Sequence, residues 1–254
     1  MLLGLAPGAG FDVTSLDDLD TYLGAAAAAG FEAVSLSITQ LCGQAPAAAK
    51  LVAAHGLTCT DVLSLMVTRD DEETMAAVDA LRPAVEALEP IGVLTMVRTR
   101  VGEESLDRMG RAAEHLGVPL LLEFATAPLP TAAAASAVVD ALGTSRARVL
   151  ADAFHFFRAG STLDMLEAIP LEHLAIVQFD DALPALSDDY MEETMHRRAW
   201  PGDGELELTA MVEVLRRRGW DGVVSVEVLS RELRQLPVDE FARQAFATTA
   251  PYWR

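Results

Sequence analysis

Short, nearly uninterrupted apolar runs alternate along the chain with longer stretches whose apolar residues recur at helical spacing. Eight of the short runs read as strands: Leu2–Ala6, Ala33–Ile38, Cys59–Leu65, Val93–Arg98, Pro119–Phe124, Arg148–Asp152, Leu174–Phe179 and Gly222–Val228. The last seven lack the polar–apolar alternation of a half-exposed sheet, as parallel strands covered on their outer face should. Between them, Leu16–Ala29, Ala45–His55, Glu72–Leu88, Glu103–Leu116, Thr131–Leu142, Thr162–Ala168 and Leu208–Arg218 read as helices. Ser15 and Ser161 stand where N-caps belong, and Gly30, Gly56, Gly117 and Gly219 stand where helices end. The oligoalanine runs Ala25–Ala29 and Ala132–Ala135 fall inside helical windows and read as tightly packed helix.

Eight strand–helix units in 254 residues, with no linker between them, predict an α/β fold: a single (β/α)8 TIM barrel filling residues 1–254. A doubly wound sheet shares the alternation but wants a glycine-rich phosphate loop after its first strand. The segment Ala6–Gly10 reads APGAG, followed by Phe11 and Asp12, and lacks that spacing.

Composition narrows the function. Acidic residues number 38 against 19 basic ones, a net charge of −19, which argues against nucleic acid as a partner because each neutralised phosphate needs a Lys or Arg. Lys50 is the only lysine and sits in an alanine-rich helical run, which disfavours a Schiff-base mechanism. Cys42 and Cys59 have neither the density of a disulfide scaffold nor zinc-knuckle spacing. The first ten residues show no basic signal-peptide start, and no run of 18 apolar residues is free of charge. The expectation is a cytoplasmic enzyme with no membrane partner.

In a barrel the chemistry gathers at the C-terminal ends of the strands, so polar residues ending apolar runs are the informative ones. PLLLEFA places Glu123, RVLADAFH places Asp152 and His155, LAIVQFDDA places Gln178 and then Asp180 and Asp181, and GVVSVEVLS places Glu227. Taken singly, each reads as an ordinary loop-edge residue. Together, on strands closing one barrel, Glu123, Asp152, Gln178 and Glu227 converge, and three buried carboxylates need compensation. One divalent metal ion resolves the conflict. Three carboxylates, a carboxamide and no cysteine suit Mn2+ or Mg2+, with Co2+ or Zn2+ as less favoured occupants.

These segments resemble the xylose isomerase-like TIM barrel superfamily of sugar phosphate isomerases and epimerases. The resemblance rests on LLLEFA, LADAFH, VQFDD, RRAWPGDGELEL and GWDGVVSVEV, running from Pro119 to Glu227, with GFEAVSL (Gly30–Leu36) adding support near the start. It implies that Glu123, Asp152, Gln178 and Glu227 hold the metal, that His155 is the histidine of the family's D-x-x-H motif, and that Arg197 or Arg198 is its arginine before the P-G-x-G-E segment. It also implies a small-molecule substrate and allows a homo-oligomer. Many epimerases of the superfamily carry His where this chain has Gln178. Gln there is similar to the hydroxypyruvate isomerases and 3-dehydroshikimate dehydratases.

The expected chemistry is removal of a proton next to a carbonyl, with a metal-stabilised enediolate. Glu123 and Glu227 are the candidate bases, and His155 is a candidate proton donor and substrate ligand. Isomerisation or epimerisation of a keto sugar or hydroxy-keto acid is the first reading. Loss of a β-hydroxyl, as in a dehydroshikimate dehydratase, is the second, and a non-catalytic ligand-binding barrel the third. Arg198 and Arg98 are candidate receptors for an anionic substrate group, although Arg98 and Arg100 read equally well as partners of nearby acids. Arg216–Arg218 read as a solvated helix end. Asp188, Asp189, Glu192 and Glu193 read as a solvated lid loop, with Tyr190, Met191 and Trp200 as candidate cover. Phe124, Phe154, Phe156 and Phe157 read as core or pocket wall.

Overall fold

The computed structural model describes residues 2–6, 13–124 and 127–254. The APGAG reading after the first strand lies mostly outside them. In chain order the elements are β1 (Leu2–Leu5), α1 (Leu16–Ala29), β2 (Ala33–Ser37), α2 (Ala45–Ala54), β3 (Thr58–Val67), α3 (Asp71–Leu88), β4 (Gly92–Val97), α4 (Glu103–Leu116), β5 (Leu120–Glu123), α5 (Ala132–Leu142), β6 (Ala147–Asp152), α6 (Ala153–Arg158), α7 (Leu163–Ala168), β7 (Leu174–Phe179), β8 (Asp181–Ala182), α8 (Tyr190–His196), β9 (Arg198–Ala199), α9 (Leu208–Arg217), β10 (Val223–Val226) and α10 (Val238–Trp253).

Strands β1 to β7 and β10 close into one parallel barrel in the order β1-β2-β3-β4-β5-β6-β7-β10, and β10 returns to β1. The fold is a single (β/α)8 TIM barrel. All eight strands lie within the apolar runs or a residue or two of them. Each strand has two buried faces, which is why the runs read as continuous. Residues such as Leu3, Val34, Val62, Val93, Leu120, Val149, Val177 and Val224 pack outward against the helices. The intervening residues Leu94, Leu121, Leu150, Ala175, Ile176 and Val223 form a separate apolar cluster inside the barrel.

The helix ends follow local chemistry. Ser15 Oγ accepts from the Asp18 amide, and the Asp18 carboxylate accepts from the Ser15 amide, so α1 starts with a capping box. It stops at Gly30, whose φ of 106° is a left-handed conformation that glycine adopts without penalty. Ser161 does not cap α7; the cap position is Thr162, and its side chain makes no capping bond.

Three helices escape the sequence reading. The short α6 begins inside the apolar run that ends β6. The acid-rich α8 reads as loop. The third, α10, has Phe241, Ala245, Thr249 and Trp253 buried at four-residue spacing and packs on α1. The antiparallel pair β8–β9 sets Asp181 opposite Ala199 and Ala182 opposite Arg198 above the barrel mouth. No described helix is long and apolar enough to cross a membrane.

Candidate active site

Strand register carries the predicted residues to one place. Glu123 ends β5, opposite Leu150 of β6. Asp152 ends β6, opposite Gln178 of β7, and Gln178 is opposite Ser225 of β10. Glu227 follows two residues after Ser225 and so faces the same way. Glu123, His155, Arg198, Glu227 and Arg98 all line one cavity of about 700 Å3.

Arg198 is the electrostatic centre of this cluster. Its side chain is 1% exposed. Its Nη1 donates to Asp152 Oδ2 at 2.6 Å, to Asp180 Oδ2 at 2.6 Å and to Glu227 Oε2 at 3.2 Å. Nε donates to the Thr194 carbonyl at 2.9 Å and Nη2 to Thr194 Oγ1 at 3.1 Å, and the guanidinium carbon lies 5.0 Å from the centre of the Phe154 ring. Of the two candidates for the arginine before the P-G-x-G-E segment, Arg198 enters the cluster. Arg197 instead bonds Glu193 at 3.0 Å and the Pro184 carbonyl.

Asp152 also caps α6, accepting from the His155 amide at 2.8 Å. That bond turns the chain so that the His155 ring faces Glu123, with Nε2 at 3.6 Å from Glu123 Oε1. On its other side, His155 Nδ1 shares a short hydrogen bond with the Tyr190 hydroxyl of α8.

Three acids share one guanidinium here with a fourth, Glu123, beside them, and their titration reflects it. Burial, reinforced by Asp152 and opposed by Arg198 and Arg98, pushes Glu123 up to about 8. Burial also pushes Glu227 up to about 8 against the pull of Arg198, with Asp152 adding to the rise. Burial raises Asp180 well above the carboxylate range despite Arg198. Burial works in the same direction on Asp152, but Arg198 and the His155 ring and amide outweigh it and hold that group low. Burial takes His155 down to about 4 although Asp152 opposes it, so the ring is neutral at physiological pH.

With all four acids ionised, Arg198 leaves three uncompensated charges, and one divalent cation would leave one. Donor atoms of Glu123, Asp152 and His155 already lie within 4.8 Å of one another. Gln178 is 1% exposed, and among the described residues its Oε1 has no hydrogen-bond partner, an orphaned buried oxygen of the kind a cation satisfies. The donor set is oxygen-rich and fits a divalent metal ion.

Other predicted residues fall elsewhere. Glu193 is not part of a solvated loop: it is buried, accepts from the Leu186 and Ser187 amides at 3.1 Å each and anchors α8. Trp200 is not cover: it lies in the core, 4.8 Å from Phe241 between ring centres. Tyr190, Met191 and Phe124 do line the cavity, whereas Phe156 is core. Neither Arg98 nor Arg100 pairs with an acid among the described residues, and only Arg98 lines the cavity. Arg218 is drawn down to the Leu166 carbonyl at 3.0 Å and the Ile169 carbonyl. Lys50 is exposed on α2, away from the cavity.

Sequence reasoning left Asp180 and Thr194 out of the site, and gave Tyr190 as cover without its bond to His155. For Asp180 a signal existed, since it follows Gln178 by two residues and therefore shares its face. Asp181, next along, turns away and accepts from the Ala182, Gly202 and Leu206 amides at 2.8, 3.0 and 3.0 Å. A Cβ on Gly204 would overlap the Asp181 carboxylate, which accounts for the glycine in the PGDGE turn.

Fold and site together define an acid-lined (β/α)8 barrel with its polar groups at the C-terminal mouth. The chain belongs to the xylose isomerase-like TIM barrel family, whose model matches residues 23–249. An inosose isomerase of Halalkalibacterium halodurans is 32% identical over 149 residues, covering 57% of this chain and 51% of that protein. The matched part thus spans about half the length of the curated relatives. Among solved structures, the IOLI protein with a binding zinc atom superposes with a TM-score of 0.85 at 20% identity, covering 99% of this chain and 98% of that one. D-Allulose 3-epimerase from Methylomonas sp., in complex with D-allulose, superposes with a TM-score of 0.76 at 14% identity, covering 100% and 97%.

Proposed function

We propose that the chain is a divalent-metal-dependent isomerase or epimerase of a small keto sugar or hydroxy-keto acid, moving a proton on the carbon beside a carbonyl. The observation that carries this reading is the placement of Glu123 and Glu227. They stand on strands separated by two others in the barrel, open into the same cavity, and flank the Arg198–His155 pair. Two carboxyl groups on different walls of one cavity can take a proton from one face of a carbon and return it to another.

In this reading Glu123, Asp152, Gln178 and Glu227 would hold the metal, and the oxygen donors would favour Mn2+ or Mg2+. When bound, it supplies Lewis-acid stabilisation of the negative charge that develops on the carbonyl oxygen. Glu123 or Glu227 abstracts the proton. Return to the same carbon from the opposite side gives an epimer, and return to the neighbouring carbon gives an isomer. Arg198 keeps Asp152, Asp180 and Glu227 in place throughout. Neutral His155, oriented by Tyr190, hydrogen-bonds a substrate hydroxyl.

The test is proton exchange. Mn2+-loaded protein incubated with keto sugars and hydroxy-keto acids in D2O is expected to incorporate deuterium beside the carbonyl and to accumulate a second isomer, both read by NMR. Glu123→Gln and Glu227→Gln should each slow exchange by about 10^3-fold. Exchange untouched by either substitution overturns the reading.

A further inference from the structure

The cavity at the barrel mouth is lined by two unlike sets of side chains. One is the carboxylate, guanidinium and imidazole cluster. The other is apolar among the described residues, built from Leu94, Met96, Phe124, Met191, Met195 and Leu229. Most polar side chains of the rim are already engaged with the cluster: the Tyr190 hydroxyl with His155, and Thr194 Oγ1 with Arg198. Of the rim hydroxyls among the described residues, only Ser64 has no such engagement. An open-chain polyol turned toward these residues would find few side-chain partners for its distal hydroxyls among the described residues, whereas an apolar group there would bury surface.

Arg98 is the exception on the apolar side. Met96 is opposite Glu123 in the β4–β5 ladder, and the Arg98 amide donates to the Val67 carbonyl at 2.8 Å, which continues the β3–β4 ladder beyond the strand end. Arg98 therefore stands on the Met96 face about 7 Å further up the barrel, above the acids. Among the described residues its Nη2 bonds Met96 Sδ at 3.7 Å, and no carboxylate hydrogen-bonds it, although its charge reaches Glu123. A guanidinium with free donors at a cavity mouth is a receptor for a carboxylate.

We infer that the substrate is a carboxylate-bearing carbonyl compound with an apolar flank: Arg98 receives the carboxylate, the Leu94–Met96–Phe124–Met191–Met195–Leu229 wall receives the flank, and the carbonyl end meets the acid cluster. This deepens the proposed function and rests on its placement of the carbonyl. Met191 and Met195, one turn apart on α8, supply an adaptable surface for skeletons of different shape.

Three probes test it by calorimetry in the presence of Mn2+: 3-benzoylpropanoate, its neutral counterpart butyrophenone, and D-fructose. The expected result is that 3-benzoylpropanoate binds at least about ten-fold more tightly than either of the others. Arg98→Ala, at an exposed position that leaves folding intact, should remove that margin for 3-benzoylpropanoate and leave butyrophenone unchanged, and Arg98→Lys should restore part of it. Met191→Gln combined with Met195→Gln should weaken both aromatic probes alike. D-fructose binding as tightly as 3-benzoylpropanoate, Arg98→Ala without effect, or the double methionine variant without effect would each overturn the inference. Deuterium exchange in the same samples separates this from the chemistry proposed above. Exchange on D-fructose with weak 3-benzoylpropanoate binding keeps the isomerase and removes the carboxylate pocket. Tight, Arg98-dependent binding with no exchange on any probe keeps the pocket and removes the isomerase.

Discussion

Inside the barrel, the lower layer and the upper layer are one strand repeat apart and chemically opposite. Leu121 is followed on its face by Glu123, Leu150 by Asp152, Ile176 by Gln178, and Val223 by Ser225 and then Glu227. The step is about 7 Å along each strand. Below it, apolar side chains fill the barrel and stabilise it. Above it, acids crowd around one guanidinium and work against folding. The same backbone ladder serves both layers, so rigidity below is what allows charges above to be held close without relaxing apart. Asp61 breaks the rule on the β3 side: it is buried, accepts from Ser35 Oγ and Thr60 Oγ1 at 2.7 Å each, and burial raises it above the carboxylate range.

The sharpest way to break the contrast is to remove the upper layer's cation. Arg198→Ala strips Asp152, Asp180 and Glu227 of their shared partner and should cost about 3–5 kcal/mol in urea unfolding without added metal, most of it recovered when Asp180→Asn is added. In the lower layer, Leu150→Ala should cost about 2–4 kcal/mol through the void it leaves, while exchange activity per folded molecule stays within about three-fold of the parent. A change in catalysis larger than the loss of folded protein would mean that the layers are not separable.

The upper layer should also make stability depend on pH. Glu123 and Glu227 titrate near 8 folded and near 4.5 unfolded, so the folded state binds more protons between those values. Their favourable contribution is complete below pH 4.5 and is lost as pH rises through 8, by about 1.4 kcal/mol per unit of difference at most. Melting of EDTA-treated protein should therefore fall from pH 6 to pH 9, and Glu123→Gln should flatten the slope. A slope of the opposite sign, or one identical in Glu123→Gln, would contradict this account. The smallest effect expected is that of Tyr190→Phe, which removes the bond to His155 and should cost about 1 kcal/mol in thermal unfolding.

The fold was legible in the sequence because both faces of every barrel strand are buried, which leaves an unbroken apolar signal. Glu123, Asp152, Gln178 and Glu227 were legible for the same reason: a polar residue ending such a run stands out. The role of Arg198 was less so. Resemblance narrowed it to two neighbouring arginines, and the choice between them is made by the two-residue β8–β9 ladder, too short to leave a pattern. Glu193 misled because burial by three hydrogen bonds to one small turn and Arg197 looks, along the chain, like any acid in an acidic stretch. His155 and Tyr190 meet across 35 residues, a distance over which no local spacing carries information.

The β8–β9 pair has an evolutionary consequence. The segment between its strands, 183–197, carries α8 with Tyr190, Met191 and Met195, and both of its ends are fastened by the Asp181–Ala199 and Ala182–Arg198 pairing. Asp180 and Arg198 flank that clasp, and Arg198 is also held from within the segment, by the Thr194 carbonyl at 2.9 Å and Thr194 Oγ1 at 3.1 Å. Sequence change at Met191 and Met195 therefore alters the cavity lining, whereas change at Thr194 or Tyr190 reaches Arg198 and His155 directly.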